Sequence, residues 1–201
     1  MNYKLYFGHA FTNEKILGAI DEMDQALEKG IYEGVDIYFS SPGGQIDLLI
    51  MFAEYLHNYP LQVTIKVIEQ VASAGMFLLM MCPDMVELYD TANGMLHMHS
   101  QGVDLRELRD KTSMSYMLAN EKDTERFLLD IMEPYGISEE SMEEIKNGRD
   151  VYFTNKELKA LFIHRAIGMS KDTIVDLEAD ISSIHENIKV LEDAYAEMIR
   201  G

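Results

Sequence analysis

The sequence predicts an α/β fold with crossover connections, and three observations carry that prediction. Short β-type runs alternate with helical patterns along the first half of the chain. Residues that cap helices or turn the chain stand at the joints between them. The 201 residues, 47% hydrophobic and 26% charged, suffice for one domain with a sizeable core plus an appended element.

In chain order, Tyr3 to Phe7 reads as a strand. Thr12 or Asn13 can cap a helix with apolar positions Ile16, Ile20, Met23 and Leu27, which Gly30 ends. Val35, Ile37 and Phe39 alternate as a second strand leading into Ser41-Pro42-Gly43-Gly44. Leu48, Phe52 and Leu56 mark a helix that stops near Pro60. Val63 to Ile68 is rich in β-branched residues and leads to Ala72-Ser73-Ala74-Gly75, followed by a buried helix over Met76 to Met81. Met85 to Tyr89 and Met95 to His99 read as two more strands, followed by a charged helix from about Asp104 to Glu133, before Pro134. A smaller helix runs from Ser138 to Gly148. Thr154 and Glu157 form a capping-box pattern opening a helix that closes the unit near Gly168.

The domain is therefore expected over 1–168, with 169–201 as an amphipathic packing or assembly helix. In that segment Ile174, Leu177, Ile181, Ile184, Ile188, Leu191, Tyr195 and Met198 form a heptad seam. Glu178, Asp180 and Glu192 flank it, so packing against the domain or another subunit is expected rather than a homodimeric zipper.

The formal net charge of −18 repels nucleic acid and anionic membranes and attracts cationic peptides or proteins. One cysteine, Cys82, cannot form an internal disulfide, and the N-terminal residues have no signal-peptide pattern, so a cytoplasmic location is expected. The longest apolar run, Met76 to Cys82, is far too short to cross a bilayer.

Four features can carry chemistry. In Ser41-Pro42-Gly43-Gly44, glycines at a strand-to-helix turn let backbone N–H groups face an anion, although a plain connecting turn has the same composition. Ser73, among small neighbours and before a helix, suits a nucleophile with half of an oxyanion hole, although on this segment alone simple helix capping is the favoured reading. His97 and His99, two apart on the expected strand, would leave the same face, and one can act as a general base. They could also be a metal pair, but no further ligands stand at a zinc spacing. Asp150, entering the β-type run Val151 to Phe153, can orient a histidine or simply be solvated.

Together these segments resemble the proteolytic subunit of the Clp protease over roughly residues 3–168. Ser41-Pro42-Gly43-Gly44 matches that family's Ser-Pro-Gly-Gly loop, and Gln70 to Leu79 is similar to its nucleophile segment. Asn93 to His99 resembles the strand ending Met-Ile-His, and Arg149-Asp150 with Tyr152, Thr154 and Glu157 resembles the segment that bears the triad acid. The resemblance implies a fold of repeated β-β-α units shared with the crotonases, and a protruding handle helix over about 104–133 that interdigitates between stacked rings. It implies Ser73 as nucleophile, His99 as base and Asp150 as acid. It also implies an oxyanion hole from the Gly44 and Ala74 N–H groups, with Gly43 shaping the loop. No cofactor or metal is expected.

The departures shape the expected function. The chain begins almost at the first strand, so the family's gating and unfoldase-docking segment is missing, and an ATP-independent or loosely ATPase-coupled endopeptidase acting on small or unfolded peptides is expected. Ser100-Gln101-Gly102-Val103 replaces the family's Gln-Pro and glycine-rich substrate strand, the Ser-to-His interval is slightly longer, and the heptad helix is additional. A divergent relative of the kind phages carry fits these differences. The alternatives are a catalytically inactive ring subunit or scaffold, and an acyl-CoA enzyme on the same fold.

Overall fold

The computed structural model describes residues 1–98 and 111–169, of which 111–121 as backbone only. The strands are β1 (Tyr3–Gly8), β2 (Gly34–Ser41), β3 (Gln62–Ala72), β4 (Val86–Leu88), β5 (Asn93–Leu96) and β6 (Val151–Phe153). The helices are α1 (Asn13–Lys29), α2 (Ile46–Asn58), α3 (Ala74–Met81), α4 (Lys111–Met132) and α5 (Glu139–Lys146), with α6 described over 155–169. The chain divides into two compact units, 1–162 and 163–201, and the architecture below is that of the first. The division falls before the expected boundary at 168. Leu158 and Leu161 are buried whereas Ile163 and Ile167 are exposed, so core burial ends about two turns sooner. The heptad segment and the residues between His99 and Asp110 lie outside the described residues.

One mostly parallel sheet has the order β1-β2-β3-β5-β6. Only the β5–β6 pair is antiparallel. β4 and β5 take successive stretches of the same edge of β3, at Ile65–Val67 and Gln70–Ala72. The expected α/β architecture is present.

Local chemistry accounts for the helix ends. Thr12 accepts from the Lys15 N–H, satisfying an orphan donor of α1, and Gly30 closes the helix at φ 63°. Thr154 and Glu157 bond reciprocally as a capping box. Buried α1 positions Ile16, Ala19 and Met23 join Phe7, Phe11, Phe39 and Phe52, whose rings pack at centroid separations of 5.6 to 6.3 Å. Burying each such ring contributes about 1.5–3 kcal/mol before entropy is counted. α3 is buried on every side from Ala74 to Met80, and the Tyr135 hydroxyl, also buried, donates to the Met80 carbonyl at 2.7 Å.

Two strands differ from expectation. β3 continues through Glu69 and Gln70, which interrupt its apolar run, because the backbone there is still paired to β5 and on to Ser41 of β2. β5 ends at Leu96, short of His99.

Candidate active site

The open parallel sheet brings the carboxyl ends of β2, β3 and β5 side by side, the customary ligand-binding edge of such sheets. Ser41 pairs with Val71, and Ala72 with Met95. The antiparallel register Met95–Tyr152 and Leu96–Val151 then sets Asp150 across from the residue after Leu96. Three segments distant in sequence thus deliver Ser73, His97 and Asp150 to one edge.

Ser73 occupies the sharp turn between β3 and α3 at φ 52° and ψ −126°, and it is the only non-glycine residue with positive φ among the described residues. Such a conformation costs on the order of 1–3 kcal/mol and persists only where surroundings enforce it. Its backbone is held at both ends: its N–H donates to Met95 and its carbonyl accepts from Met76 and Phe77. The hydroxyl makes no cap bond to α3. It lies 2.8 Å from His97 Nε2 instead, so capping does not account for this serine.

His97 Nδ1 lies 3.1 Å from Asp150 Oδ1. A carboxylate only accepts, so Nδ1 carries the proton and Nε2 is free to accept from the Ser73 hydroxyl. Among the described residues the histidine between Ser73 and Asp150 is therefore His97, and not the His99 that the resemblance implies as base. β5 ends at Leu96, so His97 already lies beyond the strand on which the alternation argument was built. His99 itself lies outside the described residues. The tripeptide Met95-Leu96-His97 was the available signal, since it fits the Met-Ile-His form directly.

A further joint, not legible beforehand, holds the histidine and aspartate segments together. The carbonyl of buried Ile145, near the end of α5, accepts from both Met98 N–H at 3.2 Å and Gly148 N–H at 3.0 Å. Gly148, at φ 74°, turns the chain toward Asp150. Arg149 points away to Glu144 at 3.4 Å, leaving the Asp150 carboxylate to His97.

The glycine loop lies against the serine. A Cβ on Gly43 would come within 2.6 Å of the Ser73 Cβ and 3.0 Å of the Ala74 nitrogen, so only glycine permits this approach. Gly44 is turned onto Phe11, whose backbone a Cβ would meet at 2.6 Å. The Gly43 N–H is taken by Ser41 Oγ and the Gln45 N–H by the Phe11 carbonyl. The Gly44 N–H between them has no acceptor among the described residues. Ala74 opens α3, so its N–H has no intrahelical acceptor either, and the helix dipole favours negative charge there.

Cys82, the one thiol of the chain, is buried and its pKa is pushed up to about 12 by desolvation, so it stays neutral. Among the described residues no cluster of side chains could hold a metal ion, and no helix is long and apolar enough to cross a membrane. No protein-family model matches the chain, and no curated protein matches it.

Proposed function

We propose that the chain is a serine endopeptidase of the type that the Clp proteolytic subunit represents. The observation that carries this reading is the strained Ser73, whose hydroxyl is turned from the helix it precedes onto a histidine that an aspartate orients. In the reaction, Ser73 Oγ attacks a peptide carbonyl while His97 Nε2 takes its proton. The oxyanion is received by the Gly44 and Ala74 N–H groups, and removing one such donor costs about 10²–10³ in turnover. His97 then gives the proton to the leaving amine. Water, activated by the same nitrogen, releases the acyl-enzyme, and Asp150 holds the ring in the required tautomer throughout.

The acidic surface charge favours cationic or unfolded peptide segments as substrates. By the same resemblance, α4 serves as the handle between stacked homo-oligomeric rings and the sheet belongs to the β-β-α repeat fold. A fluorophosphonate probe tests the chemistry: it should label Ser73 in assembled protein, and Ser73→Ala should abolish labelling. Absence of labelling in folded, assembled wild type supports the inactive ring subunit instead, and thioester binding without labelling supports the acyl-CoA enzyme.

A further inference from the structure

Ser41 is the most deeply buried polar side chain among the described residues, at 1% exposure, and the chemistry above does not use it. Its hydroxyl donates to the His9 carbonyl at 2.7 Å and accepts from the Gly43 N–H at 3.1 Å. A Cβ on Gly75 would lie 3.0 Å from the Ser41 Cβ, so the first turn of α3 rests on the same side chain. Two backbone bonds complete the frame. Phe11 N–H donates to Gly43 at 2.8 Å and Gln45 N–H donates to Phe11 at 3.2 Å. Residues 9–11, just after β1, thus grip the loop on both sides of Gly44.

We propose that Ser41 is the positioning residue of the oxyanion hole: its hydroxyl ties the Gly43 amide to the His9 carbonyl and so sets where the Gly44 N–H points. The inference rests on the peptidase reading for its catalytic consequence, but its geometric part stands separately. Gly43 and Gly44 occupy positive φ values of 99° and 143°, where glycine is free to move unless something outside the residue holds it. The hydroxyl provides that hold at the amide preceding the donor. An alanine at 41 removes both bonds and leaves the Gly43 N–H unpaired in a buried place. The loop then relaxes, and a displacement of about 1 Å at a donor suffices for about a hundredfold loss of rate.

The test compares wild type, Ser41→Ala, Ser41→Cys and Ser40→Ala, the last being a neighbouring hydroxyl with no hydrogen bond among the described residues. Turnover of an activated peptide ester is measured per site titrated with fluorophosphonate, so that misfolded protein is not counted. Amide hydrogen exchange is followed at Gly43 and Ser73 in parallel. The expected result for Ser41→Ala is a kcat lower by about 30- to 300-fold with KM and the acid limb of the pH profile unchanged. Gly43 exchange accelerates while Ser73 exchange does not, Ser41→Cys recovers part of the loss, and Ser40→Ala matches wild type. Unchanged Gly43 exchange, or unchanged kcat per titrated site, overturns the proposal. If wild type neither labels nor turns over, the peptidase reading fails, and the exchange measurement alone decides whether Ser41 holds the loop.

Discussion

Two helix starts in this molecule carry a hydroxyl at the same position and use it in opposite ways. At α5, Ser138 sits in extended backbone and accepts from the Ser141 N–H at 3.2 Å, as a capping serine does. At α3, Ser73 sits at positive φ, declines the cap and bonds a histidine. The first arrangement lowers the free energy of its own helix. The second leaves the start of α3 without a side-chain cap and stores backbone strain, and it is the surrounding sheet that enforces it. A hydroxyl given up by local stability and held by tertiary structure marks a place where something other than folding is served.

The largest expected effect tests which histidine completes that arrangement. His97→Ala should lower turnover by about 10³–10⁴ per folded site, since a triad without its base retains only oxyanion and binding contributions. His99→Ala should stay within a few-fold of wild type. Matching losses from both variants, measured as initial rates on a peptide ester, would return the base assignment to dispute. Asp150→Asn should cost somewhat less, about 10²–10³, because its carboxylate is half exposed and water can partly replace it.

Features governed by neighbours in sequence were legible in advance. The Thr12 cap, the Gly30 stop, the apolar stripe of α1 and the Thr154–Glu157 box all depend on residues within one or two turns. The strands that frame the site were legible too, with their ends displaced. What escaped was set by pairing between distant segments. β3 runs past Glu69 because β5 lies beside it, and β5 stops at Leu96, just before the histidine that meets Ser73 and Asp150. Ser41 showed only as part of a glycine turn, because its importance lies in a carbonyl at His9, on the far side of α1 in sequence. Nor can composition reveal a positive φ at a serine. The residues Ser73, Asp150, Gly43 and Gly44 were visible singly as candidates with plainer explanations, and only their likeness to a known family joined them before the geometry did.

A smaller effect sharpens the contrast between the two helix starts through stability alone. Ser73→Gly removes the Cβ that makes φ 52° costly and should stabilise the fold by about 1 kcal/mol, after the extra chain entropy of glycine is offset. Ser138→Ala should destabilise it by about 1 kcal/mol through the lost cap. Denaturant midpoints of the two variants should therefore move in opposite directions. A destabilised Ser73→Gly would mean that the Ser73 hydroxyl serves the fold as Ser138 does.

The smallest effect extends the contrast from hydroxyls to carboxylates. Asp36, on the outer face of β2, accepts from Lys66 at 2.9 Å and from Asn2 at 2.9 Å. Burial alone would push its carboxyl up, but those hydrogen bonds and the Lys66 charge outweigh it and hold the group below the usual range. The depressed value means that the native state binds this proton less readily than the unfolded chain. Its stabilisation is thus complete above the unfolded carboxylate range, near pH 4, and fades as pH falls through the lower native value. The partner gives the upper bound. Its bond to Asp36 raises Lys66 above the usual lysine range, so that contribution fades only in strong alkali. Asp36→Asn should therefore lower stability by about 1 kcal/mol at neutral pH, with a difference from wild type that vanishes on acidification and with turnover unchanged. Asp150→Asn should do the reverse, and thermal midpoints measured across pH for both variants separate a carboxylate that holds the sheet together from one that orients a histidine.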